Sequence, residues 1–292
     1  MKQSKGEEIL PETRAVFTDL DGTLLNSQQL LTSANRHTLN TLGEAGIRRI
    51  VVTGRSLFSA QRVLDMEFPI DLLVTSSGAG IFSFPALKML YSATLTKQQV
   101  QRAALHLKYL ELDFMIHAPL PDNHRFGWHR SGRVNADFDR RIELYSNYSN
   151  PLPIDLTTAG PATQLLVICP HNEDGRLHRT LKVGLSGLTV IRTTSPLDHR
   201  STWYEIFPSE ISKASAAIWI CNRYGLDRDT TLVVGNDYND LALLHWGQFS
   251  RVVANAPTDL RCQFQSVASH DHDGFSEAVA AWLEALFIPA TK

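Results

Sequence analysis

The first third of the chain alternates short apolar runs with amphipathic stretches. Ala15-Val16-Phe17-Thr18 reads as a short buried strand. A helix should follow, with Thr32 or Ser33 as its N-cap, Leu39, Leu42 and Ala45 on one face, and Gly46 at its C-terminal end. Arg49 to Thr53 reads as a second strand, Ser56 to Asp65 as a second helix, and Asp71 to Thr75 as a third strand. This βαβαβ order predicts a parallel sheet wrapped in helices.

From about Pro85 the pattern changes. Thr96 to Leu110 has helical spacing, and His124 to His129 alternates like a half-exposed strand, with His124, Phe126 and Trp128 on one face. Pro119, Pro121, Pro151, Pro153 and Pro161 punctuate long loops. Gln164 to Cys169, Thr189 to Thr193 and Trp203 to Phe207 read as further strands, with a helix near Asp174 to Val183. Such runs predict a separate α+β module inserted into the α/β domain. After Pro208 the first pattern returns, with a helix from Lys213 to Tyr224 stopped by Gly225. A buried strand over Thr231 to Val234 and a helix over Ser276 to Leu286 complete it.

The candidate chemistry sits at the ends of these strands. Asp19-Leu20-Asp21-Gly22-Thr23 ends the first one. Residues two apart on an extended strand end point the same way, so both carboxylates can meet over one site at the sheet edge, where open α/β sheets bind ligands. Carboxylates that close raise one another's pKa unless a cation lies between them, and Mg²⁺ is the natural hard cation for the place. One carboxylate could then attack phosphorus while the other handles the leaving-group proton. The same residues also suit a plain β-turn.

Three further segments point the same way. Thr53-Gly54-Arg55-Ser56 lies where the second strand feeds its helix, so a hydroxyl and free backbone N–H groups can converge on an anion. Lys213 falls in the first turn of its helix, where a cation opposes the macrodipole and needs a nearby anion. Gly235-Asn236-Asp237-Tyr238-Asn239-Asp240 gathers acid and amide side chains after a buried strand, a set suited to a hard metal.

In this order the four segments resemble the haloacid dehalogenase superfamily of phosphotransferases. About thirty residues separate Thr23 from Thr53, too few for a cap, whereas the interval from Thr53 to Lys213 leaves room for a large one. The chain is therefore similar to C2-capped members of subclass IIB, the Cof-type sugar-phosphate phosphatases. The resemblance implies a Rossmann-like parallel-sheet core over 1–84 and 208–292, and an α+β cap over 85–207. It implies that Asp19 is the nucleophile that becomes an aspartyl-phosphate and Asp21 the general acid and base. Lys213 would be catalytic, with Thr53, Gly54, Arg55 and Asn239 around the phosphate. Mg²⁺ would be held by Asp19, the backbone carbonyl of Asp21 and the fourth segment.

The chain departs from that family pattern twice. Relatives usually read G-D-x-x-N-D, and here Asn236 stands where the first acid is expected, so Asn236, Asp237 or Asp240 completes the metal site. Ser76-Ser77-Gly78 stands where relatives often have Asn before the Gly.

Composition narrows the function classes. The chain has 292 residues, with 28 Lys and Arg against 30 Asp and Glu and a formal charge of −2. This balance supplies no global pull toward nucleic acid or anionic lipid. Cys169, Cys221 and Cys262 are scattered and odd in number, against a disulfide framework or a thiolate zinc site. No apolar run approaches a membrane span, and the first fourteen residues carry no apolar leader, which predicts a soluble, cytoplasmic protein, monomer or homodimer. The expected activity is Mg²⁺-dependent hydrolysis of a small phosphorylated metabolite, a sugar phosphate foremost. A phosphomutase or phosphotransferase shares every motif, and Asn236 leaves room for a non-catalytic sensor of a phosphorylated ligand. Cationic side chains cluster from His117 to Arg141 and could read a second substrate group or simply pair with Asp122, Asp137 and Asp139.

Overall fold

The computed structural model describes residues 13–156, 159–170 and 175–287. The expectation for the leader-free first fourteen residues falls almost wholly outside them. Two sheets organise the chain. The first elements are β1 (Ala15–Thr18), α1 (Ser33–Glu44), β2 (Arg48–Val52), α2 (Leu57–Ala60), β3 (Leu72–Thr75), β4 (Gly80–Ser83) and β5 (Met89–Ser92). Then come α3 (Lys97–Tyr109), β6 (Phe114–His117), β7 (Phe126–His129), α4 (Ala136–Leu144), β8 (Ser149–Pro151) and β9 (Gln164–Cys169). They are followed by α5 (Arg176–Gly184), β10 (Leu188–Thr194), β11 (Thr202–Pro208), α6 (Lys213–Tyr224) and β12 (Leu232–Gly235). The chain closes with α7 (Leu241–Trp246), β13 (Phe249–Val253), α8 (Thr258–Arg261), β14 (Gln265–Val267) and α9 (Gly274–Phe287).

The larger sheet has the order β14-β13-β12-β1-β2-β3-β4-β5 and is parallel from β14 to β3. Alternation in β1 and β2 feeds two cores. Val16 and Val51 pack with Leu39 of α1 and Phe275 and Trp282 of α9, whereas Ala15, Phe17, Ile50 and Val52 pack with Ala216 and Ile220 of α6 and Leu243 of α7. Both faces of β1 are covered, so all four of its residues are buried, Ala15, Val16 and Phe17 are apolar, and its C-terminal end is the sheet's open point.

The smaller sheet has the order β10-β11-β9-β6-β7-β8 and is antiparallel except for the β7–β8 pair. One face packs on α3 and α5 through Ala103, Leu107, Leu165, Val167 and Leu181. Part of the opposite face, with Met115, Leu166, Ile168 and Trp203, packs on Phe138 of α4. The α/β core with an inserted α+β cap is thus the architecture of the chain. The division expected at residue 84 cuts the turn between β4 and β5, and both strands belong to the larger sheet.

Local signals explain most element ends. The Thr32 hydroxyl accepts from the Asn35 N–H at 3.2 Å, Thr96 and Gln99 form a reciprocal capping box, and Gly225 ends α6 with φ 66°. The helix expected over Ser56 to Asp65 shrinks to Leu57–Ala60. There the Ser59 carbonyl accepts from the Arg55 guanidinium and from the Arg62 N–H, and the chain then turns to bury Leu64, Phe68 and Ile70. The strand expected from His124 begins at Phe126, and His124 stacks instead on Phe58 of the core at 4.3 Å. Asp174, the expected start of the helix before Val183, lies outside the described residues, and α5 begins at Arg176.

Candidate active site

Lys213 is the centre of the site. It is the first residue of α6, capped by Ser212, and it has no solvent exposure. Its Nζ donates to Asp19 Oδ1 and to Asp240 Oδ1, each at 2.6 Å. A buried cation at a helix N-terminus is unfavourable alone, and two carboxylates offset it. Burial opposes the charged lysine, but Asp19 and Asp240 outweigh it and the Lys213 pKa rises. Burial also pushes Asp19 up to about 7, with Asp240 and Asp21 adding to the rise and Lys213 opposing it.

Asp19 and Asp21 follow β1, and the turn after them depends on Gly22. Its φ is +69°, and a Cβ there would lie 2.7 Å from the Asn236 side-chain nitrogen. Asn236 therefore flanks the Asp19 turn. Asp21 is gripped by Arg55, which donates from Nε at 2.7 Å and Nη2 at 2.6 Å, a two-pronged contact. Thr53 is buried beside it, and its hydroxyl accepts from the Arg55 N–H at 3.1 Å. The Asn239 amide lies against Gly54, 3.5 Å from where a Cβ would sit. Asp19, Asp21, Thr53, Gly54, Arg55, Lys213, Asn236, Asn239 and Asp240 thus converge at the C-terminal ends of β1, β2 and β12, although 221 positions separate the first and last.

Two acids of the fourth segment have structural partners. Asp240 Oδ2 accepts from the N–H groups of Asn236 and Asp237, at 2.8 and 3.1 Å, so this carboxylate shapes its own loop and anchors Lys213. Asp237 turns to the cap, where its carboxylate accepts from the Thr193 hydroxyl and the Thr194 N–H, both at 2.9 Å, and from the Thr194 hydroxyl at 3.1 Å. Asp237 is therefore a bond between core and cap, unlike the metal-ligand option read from sequence.

The Ser76-Ser77 loop makes two more such bonds. Both serines have positive φ, 49° and 53°, and the chain is packed so closely that a Cβ on Gly78 would overlap the Ser212 carbonyl. Ser76 Oγ accepts from the Asn123 amide at 2.7 Å, and Ser77 Oγ donates to Glu205 Oε2 at 2.5 Å. Glu205, Asn123 and Gln164 were not singled out by sequence; only Glu205's place inside the apolar strand Trp203 to Phe207 hinted at a buried acid.

The cationic cap stretch disperses. Arg130 pairs with Asp139, Arg133 pairs with Glu111 at 2.6 Å, and Arg140 donates to the Leu197 carbonyl. Asp137 accepts from Ser195 and from the Trp203 indole. On the inner face His117 is buried and Arg141 lies 4.7 Å over the Trp203 ring, while Arg130 covers Phe138 at 5.6 Å and His124 stacks on Phe58 of the core.

Among the described residues no three His, Cys, Asp or Glu side chains converge to hold a metal ion. The Asp19 carboxylate and the Asn236 side-chain amide, which flanks the turn after Asp21, nevertheless bring hard oxygen donors to this end of the sheet. Burial is the main cause of the raised Asp19 pKa, with the neighbouring Asp240 and Asp21 carboxylates adding to it, so a cation placed here would favour the carboxylate form. This donor set fits Mg²⁺, with fewer charges than an all-acid site.

A family model described as haloacid dehalogenase-like hydrolase matches residues 16–279. The chain belongs to that family. As a haloacid dehalogenase-like hydrolase it is an enzyme of phosphatase type. It is 24% identical over 282 residues to the 5-amino-6-(5-phospho-D-ribitylamino)uracil phosphatase YwtE of Bacillus subtilis, covering 89% of this chain and 95% of that protein. The solved structure of BT1666 from Bacteroides thetaiotaomicron superposes with a TM-score of 0.74 at 15% identity, covering 96% of this chain and 98% of that one. The HAD subclass IIB sugar phosphatase BT4131 superposes with a TM-score of 0.71 at 15% identity, over 92% of this chain and 99% of its own. These two structures share the fold of this hydrolase. No helix among the described residues is long and apolar enough to cross a membrane.

Proposed function

We propose that this hydrolase is a C2-capped, subclass IIB phosphatase that hydrolyses the phosphate monoester of a small metabolite, a sugar phosphate foremost, through an aspartyl-phosphate on Asp19. The observation that carries this reading is the buried Asp19–Lys213–Asp240 bridge at the end of β1. Lys213 engages Asp19 Oδ1 and leaves Oδ2 for attack on phosphorus. As the Oδ2–P bond forms, the P–O bond to the leaving group breaks and Asp21 gives that oxygen a proton. Water then attacks the phosphoryl group, Asp21 takes its proton, and phosphate leaves with Asp19 restored. Asp21 must turn from the Arg55 guanidinium to do this, so Arg55 also sets when the acid is available.

Thr53, the backbone at Gly54, Lys213 and Asn239 hold the phosphoryl oxygens. Mg²⁺, bound by Asp19, the Asp21 carbonyl and Asn236, would supply positive charge against the phosphoryl oxygens and the attacking carboxylate. The division we favour assigns 93–208 to the cap, which excludes bulk water over the site. A phosphate-release screen with Mg²⁺ over sugar phosphates, phosphoglycerate esters, nucleotides and pyridoxal phosphate tests the reading. Asp19→Asn should abolish release of free phosphate, and unchanged turnover in that variant would refute the nucleophile. Transfer of the group to a second sugar, without free phosphate, would make the protein a phosphotransferase.

A further inference from the structure

A cavity of about 550 Å³ lies at the seam between core and cap, within the size range that takes small organic ligands. Arg192 and Thr202 of β10 and β11, with His199 and Arg200 of the hairpin loop between them, form its cap side, and Tyr238 and Pro257 form its core side. It stands apart from the phosphate site. Arg192 pairs in register with Tyr204, and Thr194 with Thr202, so these four side chains share the sheet face that packs on α3 and α5. Trp203 and Glu205 lie on the opposite face, where Glu205 accepts from Ser77 of the core.

Among the described residues, cations and hydroxyl groups line this cavity and no acid does. The carboxylates of the adjoining segments are engaged elsewhere. Asp237 accepts from Thr193 and Thr194, and Asp259 accepts from the Tyr238 hydroxyl at 3.1 Å. Asp198 accepts from the N–H groups of Arg200 and Ser201, both at 2.8 Å, and from the Ser201 hydroxyl at 2.6 Å. Arg192 lies 4.6 Å over the Tyr238 ring, which fixes one guanidinium where the two walls meet. The Arg200 guanidinium has no ion pair or hydrogen bond with a described residue. Thr202 is only 3% exposed, yet its hydroxyl also lacks a hydrogen bond among the described residues, unlike those of Thr193, Thr194 and Ser201. A nearly buried hydroxyl without a partner, beside an unpaired guanidinium, marks a place for an acceptor from outside the chain.

We propose that this cavity is a second anion site, which takes a phosphate dianion, free or carried by a small organic molecule, and ties the cap to the core. Arg200 and Arg192 supply positive charge, and Thr202 Oγ1 and a ring N–H of His199 supply further donors. A single carboxylate has too little charge and too few oxygens for this set, whereas a phosphate dianion matches two guanidinium groups and two more donors. Tyr238 and Pro257 bound the remaining space from the core side. A ligand that touches both units makes its full set of contacts only while the cap is docked. Its binding therefore favours the docked arrangement, and docking favours its binding to the same degree. The site goes beyond the hydrolytic reading and does not depend on it.

Equilibrium dialysis of the full chain against radiolabelled inorganic phosphate, with Mg²⁺ present, counts the sites. The unmodified chain should bind two equivalents, one at the Asp19 site and one at the seam. Arg200→Gln should weaken one of them at least about tenfold, and Thr202→Val, which keeps the shape of the side chain, about threefold, with the other equivalent unchanged. Competition in the Asp19→Asn protein separates the two sources. Displacement of the seam equivalent by less glucose 6-phosphate than unlabelled phosphate assigns the site to an organic phosphate, and the reverse order assigns it to free phosphate. No binding below about 10 mM phosphate, or a single equivalent that Arg200→Gln leaves intact, would overturn the proposal. So would two equivalents that both ignore the substitutions or weaken together. One equivalent alone, weakened by Arg200→Gln, would support the seam site and count against phosphate binding at Asp19. Absence of phosphate release from every ester would refute hydrolysis, and the response to Arg200→Gln would still decide the seam site.

Discussion

Lys213 of the core and Glu205 of the cap are both buried ionisable groups beside one site, and they are compensated differently. Lys213 closes on two carboxylates at 2.6 Å from the larger sheet and its loops, so its three-group bridge is complete within the core. Glu205 takes one partner from each unit, Ser77 from the core and Gln164 from the cap, and its neighbours His117 and Gln164 keep open acceptor atoms. The core machinery is therefore preorganised before substrate arrives, as electrostatic catalysis requires. The cap face instead keeps buried acceptor atoms that the described residues leave without hydrogen bonds.

The sharpest way to break this contrast is to open the core bridge. Lys213→Met leaves Asp19 and Asp240 buried, adjacent and uncompensated, and should cost about 3–5 kcal/mol of stability, together with at least a hundredfold loss of phosphatase turnover. Denaturant unfolding and phosphate release measure the two effects. Most of the stability loss should vanish in acid, where Asp19 takes up a proton; a loss independent of pH would show that packing, and not charge, holds the bridge.

The cap face gives a smaller, pH-defined effect. Burial drives the His117 pKa down to about 3, with Arg141 assisting and the Asn123 carbonyl opposing. The unfolded chain takes up this proton near pH 6.5 and the folded one only near 3, so stability is undiminished above 6.5 and falls as pH drops. The cost is about 2 kcal/mol at pH 5. His117→Asn keeps a donor to the Asn123 carbonyl without the titration, and should flatten the slope of stability between pH 6.5 and 4. An unchanged slope would mean that other groups govern the acid response.

The smallest effect is expected at the seam. Asp237→Ala removes three hydrogen bonds from Thr193 and Thr194, worth about 1 kcal/mol of cap closure in this part-exposed place. The population of the open form should rise about fivefold. Hydrogen exchange along β10 would report it, and a metal-ligand role for Asp237 would show instead as weakened Mg²⁺ binding with β10 exchange unchanged.

Much of the core was legible because its signals are local. The strand Ala15–Thr18, the helix Lys213–Tyr224 and the Gly225 stop were read at their observed bounds, since burial on both faces of a parallel strand and a capped apolar helix leave plain patterns. The antiparallel cap was harder. β6 and α4 were missed because Phe114–His117 is a short apolar run, and Ala136–Leu144 is mostly charged with Phe138 as its buried anchor. The short helix α2 was overextended, because periodicity does not reveal that Arg55 takes up the Ser59 carbonyl.

The sequence by itself determined the α/β class, the insertion, the carboxylates and hydroxyl at strand ends and the lysine at a helix start, because these depend on residue type and on periodicity along one chain. Tertiary structure alone decided the partners. Asp240 became an anchor for Lys213 and for its own loop, Asp237 a bond to the cap, and Glu205 a neighbour of Gly54. Those outcomes depend on which segments the two sheets bring together. The energy of a buried charge is set by groups far away in the chain, and no local pattern contains them.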